Sequence, residues 1–266
     1  MPTSELRELR EHIIALAHDA GARIMDIYAG AIDVSHKDDR SPLTAADMAA
    51  HHCIVEGLER LTPDIPVLSE ESAEDVPALV RRQWTRLWLV DPLDGTREFI
   101  KRNDEFTVNI ALIDNGVPIL SVVQSPVTGT VWHAHRDVGA FRRDGDSESA
   151  LHCRRPATAP LRVAVSRSHL DPRTVALMQR MGPTEPVSRG SSLKFCELAE
   201  GGMDVYPRFG PTSEWDTAAG QCVLEAAGGC VIDPQGRPLR YNQRDTVLNG
   251  DFLALGDPDL PWRSWL

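Results

Sequence analysis

The string DPLDGT at residues 91–96 places two carboxylates, a backbone carbonyl and a hydroxyl on one short turn. It follows the apolar run RLWLV at 86–90, a pattern typical of a buried strand. The proline fixes the turn, so that the carboxylates of Asp91 and Asp94 and the Leu93 carbonyl can face one point. Because all of these donors are hard oxygens, the turn favours Mg²⁺ over zinc.

The end of the same string suits a phosphate group. Gly95 allows close approach of the backbone, and Thr96 can begin a helix whose first N–H groups are free to bind an anion. A D-G dipeptide alone more often marks a hairpin turn. Nothing structural, however, requires two acids and a proline directly after an apolar strand, so we favour the metal site.

Three further acidic positions are ambiguous when taken singly. Thr44-x-x-Asp47 and Ser213-x-x-Asp216 resemble helix capping boxes with Asp in place of Glu, and Glu70 follows a serine that could cap a helix. Each lies at a predicted strand end or helix start, where carboxylates can converge on one cleft. Buried, unpaired carboxylates cost several kcal/mol or shift their pKa upward. A divalent cation resolves that conflict, whereas capping alone does not.

Periodicity predicts the elements that must position these groups. Apolar residues three or four apart predict a first helix from Leu6 to Ile27, and the strand-like text from Thr107 to Phe141 contains an N-G turn at 115–116. Further helices are predicted at 44–61, 171–181, 193–199 and 217–227, and short strands at 65–68 and 86–90. The polar segment 142–160 is the best candidate for a domain junction.

This order predicts a layered α/β protein with a cleft between two halves. The first half, residues 1–155, is α+β and carries most of the metal ligands. The second, residues 156–266, is α/β and carries Asp216 and the substrate-binding residues.

Composition narrows the class of partner. The chain has 266 residues and a formal net charge of −11, which argues against binding a nucleic-acid polymer or an anionic membrane surface. Five cysteines without a C-x-x-C pair indicate free thiols in a reducing compartment. The N-terminus lacks an apolar signal core, and the uncharged stretch 115–135 is broken by prolines and a glycine. We therefore expect a cytoplasmic protein without a transmembrane segment.

The motifs together resemble a known superfamily. DPLDGT, preceded by SEE at 69–71 and by K-x-D-x-x-P-x-T-x-x-D at 37–47, and followed by Trp215-Asp216, is similar to the lithium-sensitive, magnesium-dependent phosphatases. That group includes inositol monophosphatases, fructose-1,6-bisphosphatases and 3'(2'),5'-bisphosphate nucleotidases. The resemblance covers residues 37–256 and implies an αβαβα sandwich with the active site in the cleft between its halves.

The resemblance also assigns the metal ligands, which all offer oxygen: Glu70, Asp91, Leu93, Asp94 and Asp216. Glu70, Asp91 and the Leu93 carbonyl would bind a first Mg²⁺. Asp91, Asp94 and Asp216 would bind a second, and a third, weaker ion near Glu70 would be held mostly by water. Two such ions neutralise charge developing on a phosphate ester and lower the pKa of a bound water.

Asp47 and Thr96 resemble the pair that orients and deprotonates the attacking water. A hydroxyl backed by a carboxylate can accept that proton, so no covalent enzyme intermediate is required. The chain departs from the family pattern at none of the metal-binding or water-activating positions, which favours an active enzyme.

The substrate class follows from other strings. SRGSSLKFC at 188–196 and YPRFG at 206–210, with SRSH at 166–169 and REFIKRN at 97–103, resemble the bacterial bisphosphate nucleotidases. By that resemblance Lys194 and Arg208 bind a second phosphate that the magnesium ions do not reach. The residues expected to bind the substrate are Glu70, Leu93, Asp94, Gly95, Thr96, His169, Ser191, Lys194, Arg208 and Asp216. Among them, His169 is expected beside the adenosine, and Ser191 is expected to donate its hydroxyl.

The expected reaction is hydrolysis of the 3'-phosphate of 3'-phosphoadenosine 5'-phosphate, or of its sulfated form, in connection with sulfate assimilation. Two alternatives stay open, namely an inositol or sugar-phosphate phosphatase, and a metal or nucleotide sensor without turnover. The sequence also leaves open a monomer or a homodimer, peripheral membrane association, the preference between 2'- and 3'-phosphates, and the role of Trp262 and Trp265.

Overall fold

Seven α-helices lie in the part of the chain that the computed structural model describes, which comprises residues 3–30, 34–36, 42–165 and 171–266. They are α1 (Thr3–Tyr28), α2 (Ala45–Leu61), α3 (Ala78–Arg81), α4 (Thr96–Lys101), α5 (Pro172–Met181), α6 (Leu193–Ala199) and α7 (Glu214–Ala226). The apolar stripe predicted for α1 is buried, with Ile13 and Ile24 fully enclosed. None of these helices is both long and apolar enough to cross a membrane.

The larger sheet has seven strands in sequential order, with only the first pair parallel. These strands are β3 (Val67–Ser69), β4 (Arg86–Asp94), β5 (Thr107–Asp114), β6 (Val117–Gln124), β7 (Val131–His135), β8 (Gly139–Asp144) and β9 (Ser147–Ala150). The N-G turn at 115–116 joins β5 to β6 as expected, and both of its residues have positive φ. Two short strands, β1 (Val34–His36) and β2 (Pro42–Thr44), form a separate ribbon.

The smaller sheet consists of β10 (Leu161–Val165), β11 (Thr184–Ser188), β12 (Val205–Arg208), β13 (Cys230–Ile232) and β14 (Phe252–Leu255). Their order across the sheet is β11-β10-β12-β14-β13. Helices α6 and α7 lie between this sheet and the larger one, while α5 packs on its other face.

Alternating residues of β4 show how the layers are stacked. Trp88 and Val90 pack against α1 and α2, whereas Leu87 and Leu89 face the core that contains α6 and α7. The order of layers is therefore α1 and α2, larger sheet, α6 and α7, smaller sheet, and α5. This is the αβαβα sandwich that the family resemblance implies.

The predicted junction at 142–160 is only partly a connection. Its first part completes β8 and forms β9, an edge strand that pairs Phe141 with Ala150. All four residues of β9 are exposed. A polar edge strand lacks the alternating apolar pattern by which strands are recognised. The chain passes to the smaller sheet across residues 151–160, and the core cluster around α7 draws residues from both predicted halves, among them Leu89 and Phe252.

Candidate active site

The end of β4 carries the first acidic group of the site. Asp91 lies opposite Asn109 on β5, and the pairing register shifts between Asp91 and Asp94. The strand bulges here before Asp94 pairs with Thr107, and the Leu93 N–H donates to Asp91 Oδ1 at 3.1 Å. Gly95 has φ of 94°, and the chain continues into α4. The Asp94-Gly95 step therefore does not form a hairpin turn.

Three distant segments bring carboxylates to this point. Glu70 begins a 3₁₀ turn directly after β3, which runs parallel to β4, and Asp216 lies in the first turn of α7. Ligand oxygens of Glu70, Asp91 and Asp216 all lie within 4.8 Å of one another. The convergence that the sequence predicted for these acids is therefore present.

Burial makes this cluster costly without a cation. Burial raises the pKa of Asp91 well above its usual value, and the nearby charges of Glu70, Asp94 and Asp216 raise it further. Burial, with the charge of Asp94 next in importance, raises the pKa of Asp216 to about 8. A set of clustered carboxylate oxygens fits a hard divalent cation such as Mg²⁺, which would relieve the repulsion.

Asp47 and Thr96 meet beside the cluster. The Thr96 hydroxyl donates to Asp47 Oδ1 at 3.2 Å, and the Leu93 carbonyl lies 3.3 Å from the same hydroxyl. Asp47 Oδ2 accepts from the N–H of Thr44 at 2.7 Å and from its hydroxyl at 2.6 Å. Asp47 thus closes the capping box of α2 with one oxygen and holds Thr96 with the other.

The other two suspected caps differ from each other. Asp216 Oδ2 accepts from the Ser213 N–H at 2.9 Å, which completes a capping box at α7. Ser69 occupies the N-cap position but makes no capping bond, because its hydroxyl lies 2.9 Å from His51 Nδ1 on α2. Of the two interpretations that the sequence left open for this segment, the helix cap at Ser69 is therefore not formed. This contact instead ties the segment that carries Glu70 to the helix that carries Asp47.

A cleft of about 570 Å³ lies beside the carboxylates. Its lining includes the acids Asp94 and Asp216, the cations Lys194 and Arg208, and also Gly95 and Ser191. This volume is typical of sites for small molecules.

The cleft is also lined by Arg97 and Arg189, but Lys194 and Arg208 are the two cations expected at the second phosphate, and both donate to backbone carbonyls. Lys194 is 8% exposed, and its Nζ donates to the carbonyls of Ser191 at 2.8 Å and Arg189 at 3.2 Å. Burial lowers the pKa of Lys194 to about 8. Arg208 Nη2 donates to the Pro211 carbonyl at 3.0 Å, while its buried Nε has no hydrogen-bond partner in the described part of the chain.

Some of the residues expected at the site cannot be compared with the structure. His169, together with the rest of 166–170 and the 37–41 part of the first motif, lies outside the described residues. Ser191 has a positive φ of 45°, which holds its carbonyl toward Lys194.

Sequence reasoning missed two polar residues behind Asp94. Asn109 Nδ2 and the Ser192 hydroxyl both lie within hydrogen-bond distance of Asp94 Oδ2. The available signal was Asn109 itself, since a lone amide in the apolar run TVNIAL needs a buried partner. Nothing comparable distinguishes Ser192 from Ser191.

The chain is similar to known phosphatases in both sequence and fold. A family model described as the inositol monophosphatase family matches residues 5–256. The 3'(2'),5'-bisphosphate nucleotidase CysQ of Salmonella typhimurium is 51% identical over 245 residues, which cover 91% of this chain and 97% of that protein. The crystal structure of CysQ from Bacteroides thetaiotaomicron, a bacterial member of that family, is 40% identical with a TM-score of 0.80, covering 93% of this chain and 97% of the other. An inositol monophosphatase from Zymomonas mobilis is 27% identical with a TM-score of 0.73, over 96% and 97% of the two chains.

Proposed function

The chain belongs to the inositol monophosphatase family, and from that premise we propose that it is a Mg²⁺-dependent phosphomonoesterase acting on 3'-phosphoadenosine 5'-phosphate. The reaction releases the 3'-phosphate and leaves AMP. The observation that carries this proposal is the cluster of the Glu70, Asp91 and Asp216 carboxylates, here called the acidic end. Asp216 also lines the cleft together with Lys194 and Arg208, here called the cationic end. The substrate named in the CysQ relatives has two phosphates, one for the carboxylates and one for the two cations.

The oxygen donors at the acidic end fit Mg²⁺. Those that would hold two or three ions are Glu70, Asp91, the Leu93 carbonyl, Asp94 and Asp216. When bound, the metal supplies charge neutralisation at the phosphate oxygens and makes water a better nucleophile.

Asp47 and Thr96 accept the proton of the attacking water. When the Thr96 hydroxyl donates its hydrogen to Asp47 Oδ1, a lone pair of Oγ1 remains to accept a hydrogen bond from water. As the water oxygen forms its bond to phosphorus, its proton passes to Oγ1 and the Thr96 proton passes to Asp47. The bond from phosphorus to the ribose 3'-oxygen breaks, and that oxygen takes a proton from a solvent water molecule, while Asp47 later returns its proton to solvent, which gives AMP and inorganic phosphate.

The second phosphate selects the substrate. Lys194 and Arg208 supply positive charge along the cleft wall, with Ser191 and His169 as the further expected contacts to the nucleotide. Charge-assisted bonds to phosphate are stronger than neutral ones, so a bisphosphate gains binding energy that a monophosphate lacks. The sulfated nucleotide carries a similar charge at its 5' end and is a second substrate of this proposal. Both reactions would serve sulfate assimilation in the cytoplasm.

A phosphate-release assay tests the proposal. 3'-Phosphoadenosine 5'-phosphate, its sulfated form, inositol 1-phosphate and fructose 1,6-bisphosphate are compared with Mg²⁺ and with EDTA. We expect kcat/KM to be highest for the bisphosphorylated nucleotide and activity to vanish in EDTA. A preference for inositol 1-phosphate would overturn the nucleotide assignment, and tight nucleotide binding without phosphate release would indicate a sensor.

A further inference from the structure

Two buried polar residues lie directly behind Asp94, and the reaction proposed above gives neither of them a role. Asn109 lies within β5, Ser192 lies just before α6, and each is 1% exposed. The Asn109 amide donates to Ser192 Oγ at 2.8 Å and lies 3.3 Å from Asp94 Oδ2. Burying an amide and a hydroxyl is unfavourable unless they are hydrogen-bonded, so these contacts account for both residues.

Ser192 makes two hydrogen bonds to one carboxylate oxygen of Asp94. Its N–H and its hydroxyl both lie 2.6 Å from Asp94 Oδ2. The other oxygen, Oδ1, accepts no hydrogen bond from any residue that the structure describes. A carboxylate held by one oxygen in this way cannot rotate freely, so Oδ1 keeps one direction.

The same hydroxyl reaches the second helix of the site. Ser192 Oγ lies 2.8 Å from the backbone carbonyl of Asp216, at the start of α7. Ser192 therefore contacts both the turn after β4 and the first turn of α7, and the Asn109 amide fixes the hydroxyl from the sheet side. A serine has one hydroxyl proton, which can be donated to either acceptor, and both acceptors lie within 2.8 Å of the same oxygen.

We propose that Ser192 and Asn109 are positioning residues that set the direction of Asp94 and its separation from Asp216, and thereby the Mg²⁺ affinity of the position these two acids form. This inference rests on the proposed function, because it takes Asp94 and Asp216 to be metal ligands. Glu70 lies on a different segment, directly after β3. We therefore expect the effect chiefly at the metal position that Asp94 and Asp216 form.

Substitution of residues that orient metal ligands typically lowers metal affinity about 10- to 100-fold. For Ser192→Ala, which keeps the backbone N–H bond to Asp94, we expect the lower end of this range. Asn109→Ser shortens the amide and is the second variant, in case loss of the Ser192 hydroxyl prevents folding. Ser192→Thr restores a hydroxyl and should recover most of the affinity. Ser149→Ala, on the exposed strand β9, is the matched control.

Two measurements separate positioning from a general loss of structure. Isothermal titration calorimetry with Mg²⁺ alone should show one class of site weakened about 10-fold in Ser192→Ala. Steady-state kinetics should show the Mg²⁺ concentration for half-maximal activity raised to a similar extent, with KM for 3'-phosphoadenosine 5'-phosphate nearly unchanged at saturating Mg²⁺. Melting temperatures in EDTA report the stability of each variant without metal.

The outcomes distinguish this inference from the function beneath it. Unchanged Mg²⁺ affinity in folded Ser192→Ala and Asn109→Ser would overturn the positioning role, even if the wild type hydrolyses the nucleotide as proposed. A wild type that binds Mg²⁺ but hydrolyses no bisphosphorylated nucleotide would refute the proposed substrate. The calorimetric comparison of the variants would then still decide whether Ser192 and Asn109 position the metal ligands. A wild type that binds no Mg²⁺ would overturn both.

Discussion

The acidic end and the cationic end of the site differ in how their charges are compensated. At the acidic end, Glu70, Asp91 and Asp216 hold like charges close together, and burial with mutual repulsion raises the pKa of Asp91 and Asp216. At the cationic end, the Lys194 ammonium donates to two backbone carbonyls, and Arg208 donates to a third.

This difference separates what folding requires from what a ligand requires. A lysine bonded to carbonyls contributes to its own loop, so its presence alone does not demand a ligand. A buried group of carboxylates opposes folding, because each added negative charge raises the cost of the next. The carboxylate cluster is therefore the stronger evidence for a bound ligand. The role of Lys194 and Arg208 in binding phosphate is what the kinetic experiments below test.

Removing the negative charge of Asp91, in the carboxylate cluster, should have the largest effect on activity. We expect Asp91→Asn to lower kcat by at least about 10²–10³-fold, the range typical of losing one electrostatic contact at a reacting centre. In EDTA the same variant should melt at a higher temperature than the wild type, because a buried repulsive charge is gone. Phosphate release and thermal denaturation check the two parts. Asp26→Asn on the exposed face of α1 is the control. Retained activity, or a lower melting temperature in EDTA, would contradict this account of the acidic end.

Adding metal should reverse the same repulsion. At a Mg²⁺ concentration one hundred times its Kd, we expect the free energy of unfolding to rise by about 2.7 kcal/mol. Denaturant titration with and without Mg²⁺, at ionic strength matched with a monovalent salt, measures this change. Asp91→Asn should lose most of it. If Mg²⁺ leaves the wild type no more stable, the carboxylates do not form a metal site.

Sequence patterns predicted the elements that have strong local signals. The apolar stripe of α1 and the N-G turn between β5 and β6 are confirmed. Strand β9 was missed because its residues are all exposed. The helix predicted from Thr217 begins at Glu214, since its polar first turn lacks an apolar stripe although the Ser213 capping box marks its start.

The site was predictable to the extent that its residues adjoin in sequence. Asp91 and Asp94 share one turn, so their proximity follows from local geometry. The approach of Glu70 and Asp216 depends on the pairing of β3 with β4 and on the stacking of α7, which family resemblance supplied and periodicity did not. The bond between Asp94 and Ser192 joins residues 98 positions apart, and no local pattern encodes it.

Removing one charge from the cationic end should have a smaller and more selective effect. For Lys194→Met, which keeps the apolar stem, we expect KM for 3'-phosphoadenosine 5'-phosphate to rise about 10-fold with kcat nearly unchanged, as for one lost charge-assisted bond. KM for 3'-AMP, which lacks the second phosphate, should change little. Steady-state kinetics with both substrates gives the comparison, and Arg60→Met on α2 is an exposed control. If both substrates weaken equally, Lys194 only braces its loop and the cationic end is structural.

The smallest expected effect is a pH dependence that belongs to the cationic end alone. Burial lowers the pKa of Lys194 from 10.5 to about 8, so the ammonium is present below pH 8 and is lost as the pH rises above it. Since kcat/KM reports ionisation of the free enzyme, the ratio of kcat/KM for the bisphosphate to that for 3'-AMP should fall as this proton leaves. If the neutral lysine binds about tenfold more weakly, this ratio falls about fourfold between pH 7.5 and 9. Taking the ratio cancels any ionisation at the acidic end, which both substrates share. Lys194→Arg stays charged throughout and should give a flat ratio, because guanidinium groups do not titrate in this range. A wild-type ratio that is equally flat would mean that the Lys194 charge does not contact the second phosphate.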